Sequence, residues 1–409
     1  MTELSDVSAR QEPQESGTPR LTFGDGGDAV LTWLKGMRDD RPAWFDESNG
    51  TWSLFRYNDI VRALRDTDTF CSDPSRSLPP EMTEEAEGSI VSLDPPRHGR
   101  LRGLVSHAFT PRLVEQLGPR IEEIVDELLD RALDGGSGRF DLVGDLAYEL
   151  PVVVIGELLG LPASDRDFLV RCADEFYAIE HDDPFNGEYL QSMQSTLDEL
   201  NEYMLDHARR RRNEPADDLM TALALAEIDG ERLNDREIRN FAVLLLTAGH
   251  ITTTALLGNT VLALGEHPDV MASWRDGTVN SAAVMEEVVR HRSPFTEVYR
   301  FTTKDVEIGG TVIPADQLVR VWLVSGNRDE RQFADPDEFR LDRATGRHLG
   351  FGLGIHYCLG AGLARVETTA ALRVLARRTA GITPVLDELK FYDAPGIFCL
   401  RSLPVTFHR

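Results

Sequence analysis

The sequence predicts a mostly α-helical protein with small antiparallel β-sheets, folded as one domain. Three observations carry that expectation. Apolar residues recur at helical spacing through most of the stretch from residue 111 to residue 292, strand-like segments gather at only two places, and no Pro/Gly/Ser-rich linker divides the helices. Hydrophobic residues make up 41% of the 409, enough for an ample core.

In chain order, the first twenty residues are polar and have no apolar h-region. They read as a disordered N-terminal tail (1–20), not a signal peptide, ahead of a single domain over 21–409. Thr51 to Phe55 is the first strand. Pro111 to Leu133 carries Leu113, Leu117, Ile121, Ile124, Val125, Leu128 and Leu129 as the stripe of an amphipathic helix. Asp145–Leu161, Asp165–Tyr177, Tyr189–Arg212 and Leu219–Ile228 repeat that period. Asn234, with Glu237 three residues on, makes a capping box for a helix running to Leu264. Ala242 to Leu264 approaches the length of a membrane span, but His250, Asn259 and its threonines would be costly in hydrocarbon, so a buried core helix is expected. Helices over Val279–Arg292 and Leu359–Arg378 flank strands at Val298–Thr303, Val306–Ile308, Thr311–Ile313 and Leu318–Leu323.

Charge narrows the function. Forty-three basic against 69 acidic residues leave a net charge of −26, which repels phosphate backbones and anionic lipid, so neither nucleic acid nor membrane is an expected partner. Cys71, Cys172, Cys358 and Cys399 are far apart with no CxxC pair, the usage of reduced thiols in a cytoplasm.

The chemistry concentrates in Gly350–Gly362, GFGLGIHYCLGAG, where five of thirteen residues are glycine. Such a loop turns sharply and approaches something closely. A third glycine is missing for a dinucleotide fingerprint, and partners at metal-ligand spacing are missing for zinc. What remains is a lone cysteine at the start of an apolar helix, where the helix N-terminus favours thiolate and where a haem iron could take its ligand.

Phe351-x-x-Gly354-x-His356-x-Cys358-x-Gly360 resembles the haem-binding signature of the cytochrome P450 family. Glu287-Val288-Val289-Arg290 resembles that family's ExxR motif, and Phe339 to Arg343 the segment giving a third partner, Arg343. Ala248-Gly249-His250-Ile251-Thr252-Thr253 is similar to its oxygen-activation segment. The resemblance implies a triangular-prism fold with haem b between the long central helix and the helix after the cysteine loop. It implies Cys358 as metal ligand, a buried network of Glu287, Arg290 and Arg343, and catalytic roles for Thr252, Thr253, Ala248 and Gly249, the small residues leaving room beside the cofactor. Phe351, Gly354 and Gly360 shape the haem loop, while His98, Arg102, Arg300 and His356 match contacts to the haem propionates. One position departs: Ile251 stands where most members carry an acid that helps relay protons, and water, substrate hydroxyls or His250 are candidate replacements.

The implied reaction inserts one oxygen atom of O2, by hydroxylation or epoxidation, into a hydrophobic small molecule. The resemblance is greatest to actinomycete enzymes that tailor macrolides and other polyketides in antibiotic biosynthesis. Ile90, Val91, Phe176, Leu244, Leu245, Phe295, Glu297, Val298, Ile397 and Phe398 would line the pocket, Glu297 as a polar handle. No room is left for a fused reductase, so electrons from NAD(P)H would arrive through a ferredoxin and its reductase, docking over Arg97, Arg100, Arg112 and Arg365 of a monomer. Desaturation, coupling or multistep oxidation of a terpene, fatty acid or peptide stays open. So do a non-catalytic partner of a glycosyltransferase, which the intact cysteine loop disfavours, and a haem-based gas sensor, for which no output domain is seen.

Overall fold

The computed structural model describes residues 22–76, 89–106, 109–136, 138–177, 187–228, 230–343 and 347–408. The tail at 1–20 and the side chain of Phe176 lie outside the described residues.

The organising element is the central helix Asp235–Glu266. Asn234 Oδ1 accepts the Glu237 N–H at 2.9 Å and Glu237 Oε2 accepts the Asn234 N–H at 3.0 Å, closing the capping box. Helices Glu149–Leu158 and Gly187–Asn213 pack against it, as do Ser281–His291 and Ala361–Arg378. Leu256, Leu257, Val261, Leu262 and Leu264 are all but fully buried, each worth about 1.5–3 kcal/mol of removed apolar surface. The polar residues that interrupt this helix bond to backbone: Thr254 Oγ1 to the Ala147 carbonyl at 3.0 Å, Thr260 Oγ1 to Leu256 O at 2.6 Å, and Asn259 Nδ2 to Phe398 O at 2.8 Å. The helix is long and apolar enough to cross a membrane, yet two-thirds of its apolar window is buried within the protein.

Several boundaries differ from expectation. The helix predicted over Pro111–Leu133 is two, Pro111–Gln116 and Gly118–Leu133, because Pro119 lacks an N–H and starts a new first turn. Asp145–Leu161 opens as a π-helical turn at Val143–Ala147 before Glu149–Leu158. The helix after Leu219 stops at Leu225, and Glu227–Ile228 instead pairs with Glu231–Arg232 in a small hairpin. Helices Asp28–Asp40, Tyr57–Arg65 and Pro268–Arg275 lie outside the predicted elements.

The sheets are small but not all antiparallel. The largest runs Ala43–Asp46, Thr51–Leu54, Leu318–Val321, Val298–Thr302, Phe70–Cys71. Thr51–Leu54 and Leu318–Val321 pair in parallel, with Trp52 opposite Val319 and Leu54 opposite Val321. A parallel pair needs a long crossover, and here the helical body supplies it. A second sheet joins Gly381–Pro384, Pro404–His408 and Arg139–Asp141, packing the C-terminus onto the helices.

Candidate active site

The glycine loop follows from two physical demands. Gly352 (φ 70°) and Gly354 (φ 75°) adopt left-handed backbone that other residues rarely enter. Gly354 and Gly350 also sit against other backbones: a Cβ on Gly354 would come within 2.4 Å of the Leu64 carbonyl, and one on Gly350 within 2.6 Å of Val289 O. The loop is thereby wedged between helices Tyr57–Arg65 and Ser281–His291. Its last turn delivers Cys358, whose N–H donates to Phe351 O at 2.9 Å. Cys358 keeps accessible surface although protein atoms crowd it on most sides, the situation of a residue at the floor of a cleft. Burial pushes its thiol up, opposed by the Gly360 and Ala361 N–H groups and the guanidiniums of Arg102 and Arg365. A Cβ on Gly360 would meet only the Cys358 sulfur, at 4.0 Å, so this glycine leaves space beside it.

Four basic side chains gather at His356, two residues before that cysteine, and one of them, Arg102, also acts on its thiol. His98 and His356 rings stand edge to face with centroids 4.5 Å apart. Ser72 Oγ lies 2.9 Å from His356 Nε2, Arg102 Nη2 donates to Tyr357 O at 2.9 Å, and Arg300 Nη1 to Tyr299 O at 2.7 Å. Burial, then the charges of Arg300, His98 and Arg102, push His356 down to about 3. Burial likewise lowers His98 and Arg300. Asp94 is the carboxylate facing this group, and it accepts the Ser72 and Asp73 N–H groups. His98 is 3% exposed, and its Nε2 has no hydrogen-bond partner among the described residues. Two arginines and two imidazoles, that of His98 buried and that of His356 half-buried, around one acid suit an anion of more than one charge.

The central helix has an open side of its own. Leu244, Leu245, Ala248 and Thr252 keep accessible surface on a helix otherwise largely buried, and the four-residue steps from 244 to 252 put them on one face. Thr252 Oγ1 donates to Ala248 O at 2.7 Å. Gly249 does something else: a Cβ there would come within 2.6 Å of Ile155 Cδ1, so this glycine lets helix Glu149–Leu158 approach and does not make room on the cleft side. One residue's rotation, about 100°, carries it off the cleft face. Thr253 is buried. His250 Nε2 donates to Tyr148 O at 2.9 Å, and burial pushes it down to about 4, so its bond points away from the cleft. Ile251 is buried in an apolar cluster with Ala255 and Cys399.

The pocket candidates divide. Val91 (54% exposed) and Phe295 (44%) present large apolar surface, and Val298 is half-buried. Ile90 belongs to the core beneath, and Ile397 joins the cluster around Ile251 while bridging to Phe295. Phe398 faces the interior, 4.6 Å from the ring of Phe23: in extended chain it points opposite to Ile397. Glu297, just before strand Val298–Thr302, accepts the Tyr299 hydroxyl at 2.8 Å and lies 3.6 Å from Arg320 Nε, and burial raises its carboxyl.

Behind the loop, Glu287 binds Arg290 through both oxygens (2.7 and 2.9 Å) and Arg343 Nε at 3.0 Å. Arg290 Nη1 donates further to the carbonyls of Asn327 and Pro336, at 2.9 and 2.7 Å. Two partners escaped sequence reading. Asn327 accepts the Leu349 N–H at 2.6 Å and donates to Ser293 Oγ at 2.8 Å, and Glu286 binds His348 and Arg365. Only the doublet Glu286-Glu287 hinted at the second.

This set of groups fits a flat dianion whose metal takes a sulfur ligand, and the fold around it is that of a haem-thiolate oxygenase. The family model for cytochrome P450 matches residues 170–276 and 281–387, and the chain belongs to that family. It is 43% identical over 393 residues to the cyclomarin C epoxidase CymV of Salinispora arenicola, spanning 96% of this chain and 99% of that one. It is 42% identical over 380 residues to the erythromycin C-12 hydroxylase of Saccharopolyspora erythraea, spanning 92% and 94%. The ligand-free structure of cytochrome P450 TbtJ1 matches with a TM-score of 0.86 at 42% identity, over 96% of this chain and all of that one. The protein is therefore a cytochrome P450 monooxygenase. It uses haem b held by a cysteine thiolate, O2, and electrons from NAD(P)H delivered by partner proteins. Bacterial members generally receive those electrons from ferredoxin systems and act on hydrophobic substrates.

Proposed function

We propose that this enzyme hydroxylates or epoxidises a macrolide- or polyketide-type natural product, with Cys358 as the haem ligand and His98, Arg102, Arg300 and His356 around the propionates. The observation that carries the assignment is a basic cluster, buried at His98 and Arg300 and half-buried at Arg102 and His356, with Asp94 as the one facing carboxylate among the described residues, near a cysteine that keeps accessible surface. Haem, when bound, supplies the oxidising chemistry, and thiolate donation favours O–O cleavage. The chain's own part is positioning and proton handling. Glu287, Arg290 and Arg343 brace the segment behind the cysteine loop. Val91, Leu244, Leu245, Phe295 and Val298 hold an apolar substrate and limit water at the cleft.

Protons have a restricted route. Ile251 offers no acid, and His250 is turned to Tyr148 O, which leaves Thr252 as the hydroxyl on the open stripe. Thr252 orders water, or the substrate's own hydroxyls, toward the cleft. That its relatives include a cyclomarin C epoxidase and an erythromycin C-12 hydroxylase supports a natural product as substrate class.

The protein acts as a cytoplasmic monomer with one domain over 21–409, served by a ferredoxin and its reductase. Arg97 and Arg112 are exposed for such a partner, whereas Arg100 is engaged by Glu231 and Glu237, and Arg365 by Glu286. A panel of macrolides and polyketides tests the substrate class: a low-to-high-spin shift, then a product heavier by one oxygen atom, is expected. No shift with that panel but one with terpenes or fatty acids would overturn it, and a product lighter by two hydrogens would assign desaturation.

A further inference from the structure

A second charge network lies one residue from the first. Glu286 precedes Glu287 on helix Ser281–His291, and one helical step of about 100° aims it at a different partner set. His348 Nε2 donates to Glu286 Oε2 at 2.7 Å, and Arg365 donates to the same carboxylate through Nε at 2.5 Å and Nη2 at 3.3 Å. His348 Nδ1 accepts the Gly350 N–H at 3.3 Å, which puts the ring proton on Nε2. Burial acts to raise the Glu286 carboxyl, but the bonds from His348 and Arg365 outweigh it and hold it at about 2.

The network grips both ends of the cysteine loop. His348 and Gly350 lie at its entry, and Arg365 lies on helix Ala361–Arg378 at its exit. The Arg365 guanidinium sits 4.4 Å from the Phe351 ring centroid, and Nη1 reaches Ala361 O at 3.2 Å and the Tyr357 hydroxyl at 3.4 Å. Phe351 O in turn accepts the Cys358 N–H at 2.9 Å. A continuous chain of contacts thus runs from Glu286 through Arg365 and Phe351 to the cysteine. These groups are partly shielded, with side chains 18% (Glu286), 9% (His348) and 33% (Arg365) exposed, unlike the open ion pairs elsewhere on the same helix.

We propose that Glu286, His348 and Arg365 are positioning residues for the Cys358 sulfur. The acid holds the Arg365 guanidinium over the Phe351 ring, and that contact sets how the loop presents the thiolate and how much positive charge it faces. The inference rests on Cys358 being the haem ligand.

The test uses the holoenzyme and two readouts besides turnover: the decay rate of the thiolate-ligated band in the reduced carbon monoxide complex, and the reduction potential of the haem. Glu286→Gln and Arg365→Ala should lose that band about tenfold faster than wild type, as for other groups that orient a metal ligand. Arg365→Ala should also lower the potential, since a cation facing the thiolate is gone. His348→Gln retains an N–H donor for Glu286 and should restore near-wild-type decay. Arg373→Ala, which breaks an exposed pair with Glu122 on the same helix, should change neither readout. Wild-type decay and potential in Glu286→Gln and Arg365→Ala, or the same changes in Arg373→Ala, would overturn the proposal. Should Arg365→Ala not fold, Arg365→Lys carries the test: it keeps the charge but loses the guanidinium's contact with the Phe351 ring, and wild-type decay there contradicts the proposal. Persistence of the thiolate band in Cys358→Ser would instead remove the underlying ligand assignment.

Discussion

The Thr252 hydroxyl donates to the carbonyl of Ala248 at 2.7 Å, one turn back on the accessible stripe of the central helix. The bond holds the side chain in place without burying it, so the hydroxyl can exchange that partner for water in the cleft. With Ile251 in an apolar cluster and His250 bonded to Tyr148 O, neither of the two residues before Thr252 brings an acid to the task. In Thr252→Ala, reductant consumption should continue while product formed per reductant falls by about tenfold or more, with haem content unchanged. Thr252→Ser should keep most of the coupling. Paired assays of NAD(P)H consumed and product formed check this, and unchanged coupling in the alanine variant would rule out the role.

His250 ties the central helix to its neighbour through Tyr148 O and stays neutral, its pKa held near 4 by burial. The folded state therefore binds fewer protons than the unfolded chain between pH 6.5 and 4. Stability present above pH 6.5 is lost as pH falls through that window, by about 3 kcal/mol. His250→Gln can keep the bond to Tyr148 without a titrating group, so its unfolding free energy should be flatter over the same range. Denaturant unfolding at stepped pH values measures the difference.

Glu367 gives the opposite sign. It is 1% exposed on helix Ala361–Arg378, its Oε2 has no partner among the described residues, and burial pushes it up to about 8. Here the folded state binds more protons, so stability present below pH 4.5 is lost as pH rises to 8. Glu367→Gln should exceed wild type at pH 8.5 by on the order of 4 kcal/mol, and the gap should close near pH 4.5. An equal gap at both pH values would mean that the carboxyl finds a partner when ionised.

The Glu287 network predicts a failure of assembly more than of chemistry. Glu287→Gln leaves two arginine heads around a neutral amide in a buried setting, at a cost of about 3–5 kcal/mol. Purified variant should retain little haem and unfold at lower denaturant, whereas Arg340→Ala, which removes exposed pairs with Asp335 and Asp342, should retain both.

What could be read ahead of the structure was whatever leaves a local trace. The Asn234–Glu237 cap and the 244–248–252 spacing lie within a few residues of one another, and the central helix and its open face follow from them. The density of glycine at 350–362 announced a tight loop, and the contacts of Gly350 with Val289 and of Gly354 with Leu64 are that tightness. The misses depend on distant partners. Gly249 is small because of Ile155, 94 positions earlier, and Phe398 is turned inward by Phe23. The parallel pairing of Thr51–Leu54 with Leu318–Val321 spans most of the chain. Glu286 has no local signal beyond its place beside Glu287, because its partners His348 and Arg365 stand far along the chain.

The ligand assignment is the centre of the account, and the carbon monoxide difference spectrum of the dithionite-reduced protein tests it most directly, with wild type and Cys358→Ser side by side. Wild type should show the red-shifted Soret band of a thiolate-ligated haem, and Cys358→Ser should lack it while the buried cysteines Cys71, Cys172 and Cys399 remain in place. The same red-shifted band in both proteins, or its absence from haem-loaded wild type, would contradict Cys358 as the ligand.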